Sequence, residues 1–242
     1  MITKNEEANI GPCLDGLAFC DERIVVDSGS TDRTIALAQQ KGARVFTHDW
    51  QGFGKQKNVA LSLASGDWVL SVDADERVSP ALAREIEHAV ADGRADGYEI
   101  PRRSSFVGRE MRHSGWFPDH VLRLFRRGKA RFSDDLVHER VICEGEVGRL
   151  TEHLAHHSVM RLEQAISRID RYSTAGADKL IASGRRVSFA HGVTHGLWSF
   201  FRAYVLRLGF LDGREGFLLA VANAEGTYYR YMKAWLARRR QT

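Results

Sequence analysis

The stretch DWVLSVDAD, residues 67–75, reads as an apolar strand that delivers two aspartates, Asp73 and Asp75, to its carboxyl end. Upstream, ERIVVD at residues 22–27 is a second buried strand, closed by Asp27 and the turn residues Ser28, Gly29, Ser30, Thr31 and Asp32. Between the two lie a helix that ends near Lys41 with Gly42 as its stop, a strand over 43–48, and a helix over 55–64 whose Val59, Leu61 and Leu63 supply apolar contacts before Gly66. Downstream, Ser79 followed by Pro80 is a serine N-cap with proline at the first helical position, opening an amphipathic run to Val90. Strands alternating with helices predict an α/β chain with a mostly parallel central sheet flanked by helices. Ligands of such sheets bind at the carboxyl ends of strands, and Asp27 and the Asp73/Asp75 pair occupy two of these ends.

After Gly97 the pattern changes to shorter strands, at 98–102 and 121–126, separated by loops rich in Arg, Gly and His. From Arg161 a helical segment leads into an apolar and basic tail. The expected organisation is an α/β domain over residues 1–160, in two parts, 1–97 and 98–160, and a C-terminal helical extension over 161–242. A chain of 242 residues, 43% of them hydrophobic, suits one globular α/β domain with an appendage. Cys13, Cys20 and Cys143 form neither an even set nor a metal-ligand spacing, which argues against a disulfide framework and for a reducing compartment. The first ten residues lack the apolar core of a signal peptide, and no run reaches the ~18 uninterrupted apolar residues of a spanning helix, so a cytoplasmic chain is expected. The net charge of +4 favours anionic partners, while no nucleic-acid-binding module is present.

The chemistry centres on Asp73-Ala74-Asp75. Two carboxylates on outward positions after a strand can hold a hard divalent cation, Mg²⁺ or Mn²⁺, against a diphosphate. Alone, such a triplet is more often a solvated turn; the order of surrounding motifs changes that. Those motifs are Thr3, Lys4, Asn5 and Glu6, then Asp27 to Asp32, then Gly54, Lys55, Gln56, Lys57 and Asn58, then the aspartate pair.

In this order the sequence resembles family 2 glycosyltransferases of the GT-A fold, and most closely the lipopolysaccharide-core β-1,4-glucosyltransferase group. The likeness extends through Arg123-Leu124-Phe125-Arg126, Val137-His138-Glu139 and Gly209-Phe210-Leu211-Asp212-Gly213. It implies that Thr3, Lys4, Asn5 and Glu6 line a nucleoside pocket, that Asp27 accepts a hydrogen bond from uracil, and that Lys57 and Asp73 stand beside the nucleotide-sugar. Asp73 and Asp75 are the expected metal residues, Asp75 the more direct, and the likeness brings His156 toward the diphosphate or metal; His153 and His157 read as structural. Inversion by direct displacement is implied, with one carboxylate base on the acceptor side. Glu139 is favoured for it, and Asp119, Asp134 and Asp135 are rivals. The donor implied is a UDP-sugar, UDP-glucose by resemblance, and the acceptor a lipid-linked glycan.

Residues 196–222 are rich in Trp, Phe and Leu but broken by Arg202, Arg207, Asp212, Arg214 and Glu215. They fit helices lying in a membrane interface or packed on the catalytic domain. Lys233, Arg238, Arg239 and Arg240, without acidic neighbours in sequence, favour peripheral contact with an anionic membrane on its cytoplasmic face. Two features depart from the family pattern: the strand before Thr3 is short, and Pro12 falls where the first helix should run unless that helix begins at Pro12 itself. An aspartyl-phosphate phosphatase is disfavoured because Arg77 stands where Thr or Val is needed. A catalytically inactive nucleotide-sugar or glycan-binding scaffold of the same fold is the alternative.

Overall fold

The computed structural model describes residues 1–133 and 140–239. In chain order the elements are β1 (Ile2–Thr3), α1 (Glu7–Asp15), β2 (Ile24–Asp27), α2 (Thr34–Gln40), β3 (Arg44–Thr47), α3 (Phe53–Ser62), β4 (Trp68–Leu70), β5 (Glu76–Arg77), α4 (Pro80–Asp92) and β6 (Gly97–Phe106). There follow β7 (Arg109–Glu110), β8 (Asp119–Arg126), β9 (Ala130–Phe132), β10 (Val141–Cys143), β11 (Val147–Arg149), β12 (Leu154–Val159), α5 (Leu162–Ala182), α6 (Phe189–Phe201) and α7 (Gly213–Arg239). A π turn, Arg202–Leu206, and a 3₁₀ turn, Gly209–Asp212, join α6 to α7.

The chain divides into two compact units. The first comprises Met1–Arg102 with Asp119–His156, the second Arg103–Pro118 with His157–Thr242. The first unit is α/β, as expected. Its parallel part is narrower than the sequence suggests: β1, β2 and β3 pair in parallel, and β11 pairs in parallel with β6. By contrast β4–β8, β6–β8 and β12–β5 are antiparallel. The alternation of strand and helix that predicts parallel pairing stops at α4, and from β6 onward strands follow one another directly, which favours antiparallel partners. Buried Ile10, Leu14, Val25, Val72, Leu82 and Leu124 belong to one core.

Local signals explain most boundaries. Ser79 caps α4, its hydroxyl accepting from the Leu82 amide at 3.1 Å with Pro80 at the first position. Gly93 ends it in the left-handed region. Pro12 lies inside α1 instead of opening it. A proline there forgoes one backbone bond, at up to about 3 kcal/mol, and the burial of Ile10, Cys13 and Leu14 from the same helix offsets that. In α3 the fully buried positions are Gly54, Gln56, Lys57 and Ala60, so two polar side chains point inward while Val59 and Leu61 are half-buried.

The second unit is helical, with α7 packed against both α5 and α6. Close approach relies on small residues: a methyl on Gly192 would meet the Met232 side chain at 2.3 Å, and one on Gly216 would meet the Gly209 carbonyl oxygen at 1.9 Å. Asp212, 2% exposed, ties the turn down by accepting from the Arg112 and His113 amides at 3.2 and 2.9 Å. No helix among the described residues is long and apolar enough to cross a membrane.

Candidate active site

The site is built on the carboxyl ends of β2 and β4 in the first unit. Parallel register sets Thr3 opposite Asp27, and the Thr3 hydroxyl donates to Asp27 Oδ2 at 3.0 Å. The Gly29 and Ser30 amides donate to Asp27 Oδ1 at 3.0 and 2.7 Å, and the Ser30 hydroxyl to Oδ2 at 2.5 Å. Asp27 is fully buried, and its four bonds match the roughly four acceptor positions of a carboxylate. The Asn5 and Ser30 side chains stitch the two loops together: the Asn5 amide donates to Ser30 Oγ at 2.8 Å, and Asn5 Oδ1 accepts from the Thr31 amide at 2.8 Å. The Glu6 amide donates to Thr34 Oγ1 at 2.7 Å. Burial pushes the Glu6 carboxyl upward, opposed by its bond from Asn9. Lys4 is exposed.

Around Asp73 the structure assembles charges that are far apart in sequence. Lys57 Nζ stands 3.0 Å from Asp73 Oδ1, and Arg123 Nη2 stands 2.7 Å from Oδ2. The same Arg123 nitrogen is 2.6 Å from Glu76 Oε1, and the Asp73 amide donates to Glu76 Oε2 at 2.9 Å. Burial alone would raise the Asp73 carboxyl, but Arg123 and Lys57 outweigh it and hold it well below the ordinary range. Burial pushes the Glu76 carboxyl up, Arg123 pulls it down, and the Asp73 charge adds to the rise. Arg123 is held firmly protonated: burial works against its charge, and the two carboxylates overcome that.

Asp75 faces the other way. Antiparallel register puts His156 opposite Glu76, and His156 Nε2 lies 3.3 Å from Asp75 Oδ2. Two ligands of one small divalent ion, each at about 2.1 Å and at right angles, would be about 3 Å apart, so the Asp75–His156 pair fits joint coordination. Asp73 fits less well, because both its oxygens already face cations. Among the described residues no group of three His, Cys, Asp or Glu side chains could hold a metal by itself. Two protein ligands with the rest supplied by phosphate and water is the usual arrangement for Mg²⁺.

Of the base candidates, Asp119 accepts from Arg102 Nε and Nη2 at 3.0 and 2.7 Å on one oxygen. Asp134, Asp135 and Glu139 lie outside the described residues. Sequence reasoning missed Glu76 and the role of Arg123. An arginine only 6% exposed on β8 is a signal of a buried counter-charge, but its partners lie 50 and 47 residues away. It also missed the role of Gln56, fully buried, whose Nε2 donates to Ser28 Oγ at 3.1 Å and to the His48 carbonyl at 3.0 Å.

Residues 1–144 match the family described as Glycosyl transferase family 2. The lipopolysaccharide core biosynthesis glycosyltransferase LpsC of Rhizobium meliloti is 35% identical over 248 residues, covering 97% of this chain and 88% of that protein. An uncharacterized glycosyltransferase of Rickettsia felis is 32% identical over 246 residues, covering 96% and 87%. Among solved structures, S. aureus TarS 1-349 in complex with UDP-GlcNAc is similar at a TM-score of 0.48 and 16% identity, covering 100% of this chain and 90% of that one.

Proposed function

The chain belongs to glycosyl transferase family 2 and is a glycosyltransferase, and on that premise we propose that it moves a sugar, glucose from UDP-glucose, onto a lipopolysaccharide-core or other lipid-linked glycan, with inversion and with a divalent metal. The observation that carries the donor side is the Asp75–His156 pair at 3.3 Å beside the cation-held Asp73. The name of LpsC supports the class of acceptor.

Asp75 and His156 would hold Mg²⁺ or Mn²⁺, which would offset charge on the departing diphosphate. The nucleoside would meet Thr3, Lys4, Asn5, Glu6 and Asp27. Because Asp27 already accepts four bonds, a uracil imide must replace one donor, and the Ser30 hydroxyl, on the more exposed side, can rotate away to allow it. Lys57 and Arg123 keep positive charge next to the aspartates while neutralising Asp73. The acceptor hydroxyl needs a carboxylate base, and Glu139 retains that assignment. Asp119 and Asp135 are the alternatives; the grip of Arg102 on Asp119 makes it the poorer base.

Peripheral membrane contact on the cytoplasmic face is part of the proposal, on altered grounds. Lys233 pairs with Asp170 at 2.7 Å, contrary to the expectation of an unpartnered basic tail, because α5 brings an acid that sequence distance hides. Arg240 is outside the described residues. The support comes instead from exposed Leu197, Trp198, Phe201, Leu206, Phe210 and Leu211. Ring contacts Phe200–Phe217 and Tyr204–Phe210 link α6, the two turns and the start of α7. An apolar area interspersed with Arg202, Arg207 and Arg214 suits an anionic lipid surface.

The test is calorimetry of UDP and UDP-glucose with and without Mn²⁺, followed by transfer assays on truncated lipid-glycan acceptors. Metal-linked UDP binding and sugar transfer are expected. Absence of nucleotide binding would sink the donor reading and favour the scaffold alternative.

A further inference from the structure

A cavity entirely within the helical unit has a volume of about 490 Å³, which is within the span of small-molecule sites. Four arginines line it, Arg168, Arg202, Arg207 and Arg230, together with Trp116 and Asn223, and no acidic residue among the described residues does. The contrast with other arginines of the unit is direct: Arg103 and Arg109 are paired with Glu110 and Glu215 at 3.6 and 3.5 Å. Among the described residues none of the four cavity arginines stands within ion-pair distance of a carboxylate; Arg168 donates only to Ser158, to its hydroxyl at 2.9 Å and its carbonyl at 2.8 Å.

Arg202, Arg207 and Arg230 are exposed and Arg168 is half-buried, so water screens their mutual repulsion, and an anion entering the hollow would meet positive charge from all four. The wall also holds Ser114, 2% exposed, whose hydroxyl has no hydrogen-bond partner among the described residues, a cost that a polar ligand would remove. Arg207 is set against Gly115, where a methyl group would fall 2.2 Å from its Nη1, and Gly115 has φ +78°, so two features of that glycine keep this arginine in place. The remaining lining is suited to a sugar. Trp116 and Tyr172 supply aromatic surface and Asn223 a side-chain amide, while the two hydroxyls are already engaged, Thr227 donating to Ser199 Oγ at 3.3 Å and Ser199 to the Asn223 carbonyl at 3.2 Å.

We propose that this cavity is a binding site for a phosphate-bearing sugar, the anionic portion of the acceptor glycan. The inference rests on the acceptor class proposed above. Guanidinium groups recognise phosphate by paired, charge-assisted bonds, and arginine is the residue suited to that geometry. The phosphate can belong to a soluble glycan or to a lipid-borne one, and the chemistry at the arginines is the same.

The experiment is titration calorimetry on the full chain with a hexose 6-phosphate, the same hexose without phosphate, and inorganic phosphate, and flotation with neutral vesicles that carry a phosphoglycolipid. UDP affinity is measured in parallel. The hexose phosphate should bind at least roughly ten-fold more tightly than either component, and Arg202→Gln with Arg230→Gln should weaken it by about a hundred-fold, roughly ten-fold for each charged bond lost. UDP affinity should not change, and Arg185→Gln, which removes an exposed charge between α5 and α6 outside the cavity, should change neither. Tighter capture by the phosphoglycolipid than by the soluble sugar assigns the phosphate to a lipid-borne acceptor; equal capture assigns it to the glycan alone. No preference for the phosphorylated sugar, or equal weakening by Arg185→Gln, overturns the proposal. Loss of UDP binding in the unaltered chain would instead count against the donor reading and leave this site standing.

Discussion

Arg123 Nη2 lies 2.7 Å from Asp73 Oδ2, joining the middle of one strand to the loop after another, and it shares that nitrogen with Glu76. Arg123 and Glu76 are 6% and 0% exposed, so neither charge can turn to water if its partner is lost. Arg123→Met should therefore destabilise the chain by about 3–5 kcal/mol at pH 7, the usual effect of orphaning a buried charge. Urea denaturation at pH 7 and pH 5 would check it. The Glu76 carboxyl is already raised in the folded state by burial, so its proton uptake favours folding as pH falls; without Arg123 that effect grows, and the deficit should shrink at pH 5. An equal deficit at both values would contradict this placement of charge.

The two aspartates should part company when substituted. Asp75→Asn and His156→Ala are expected to weaken Mn²⁺ binding in the presence of UDP by about ten-fold or more while leaving the melting temperature near its original value. Asp73→Asn should mainly lower stability at neutral pH, because Lys57 and Arg123 lose the partner that burial cannot replace. Asp73 has a depressed carboxyl, so its contribution is present above the unfolded value near 3.8 and fades only as pH falls toward the lower folded value. Electron paramagnetic resonance of Mn²⁺ and thermal melts of the three variants would separate the roles. Identical behaviour of Asp73→Asn and Asp75→Asn would refute the division.

Thiol chemistry reports on packing. Burial pushes the Cys13 thiol up to about 12 and the Cys20 thiol up to about 11, and Cys13 is 1% exposed. At pH 8 both remain protonated and poor nucleophiles. Titration with a chromogenic disulfide should modify Cys143 first in the native chain and all three after denaturation. Rapid reaction of Cys13 would show that α1 is not seated as described.

Lipid binding should follow apolar contact more than the basic tail. Replacing Leu197 and Trp198 by serine should weaken affinity for anionic vesicles by about a hundred-fold or more, since each buried side chain contributes about 1.5–3 kcal/mol. Replacing Lys233 by Gln should change it little, because its charge already meets Asp170. The reverse ranking would move the contact to the C-terminus.

The donor half was legible in sequence because its signals are local. Asp27 and Asp73 are each announced by the apolar strand just before them, and Ser79-Pro80 marks a helix start within two residues. What stayed hidden depends on distant register. Nothing near Arg123 in sequence points to Glu76, and nothing near Lys233 points to Asp170, 63 residues away. Hydropathy also gave no sign of the inward Gln56 and Lys57 of α3, which serve hydrogen bonding and charge and not apolar burial. The antiparallel strands after α4 escaped for a similar reason, because a short apolar run states that a strand exists but not which neighbour it takes.

At Gly209 and Gly216 one stretch of main chain rests directly on another, with no side chain between to yield. Most packing errors can be absorbed by a rotamer elsewhere, whereas this junction offers nothing that can rotate. Variation there should be tolerated all or not at all, so relatives able to keep the same turn between α6 and α7 must also keep its two bare positions, while the aromatic residues around it remain free to drift.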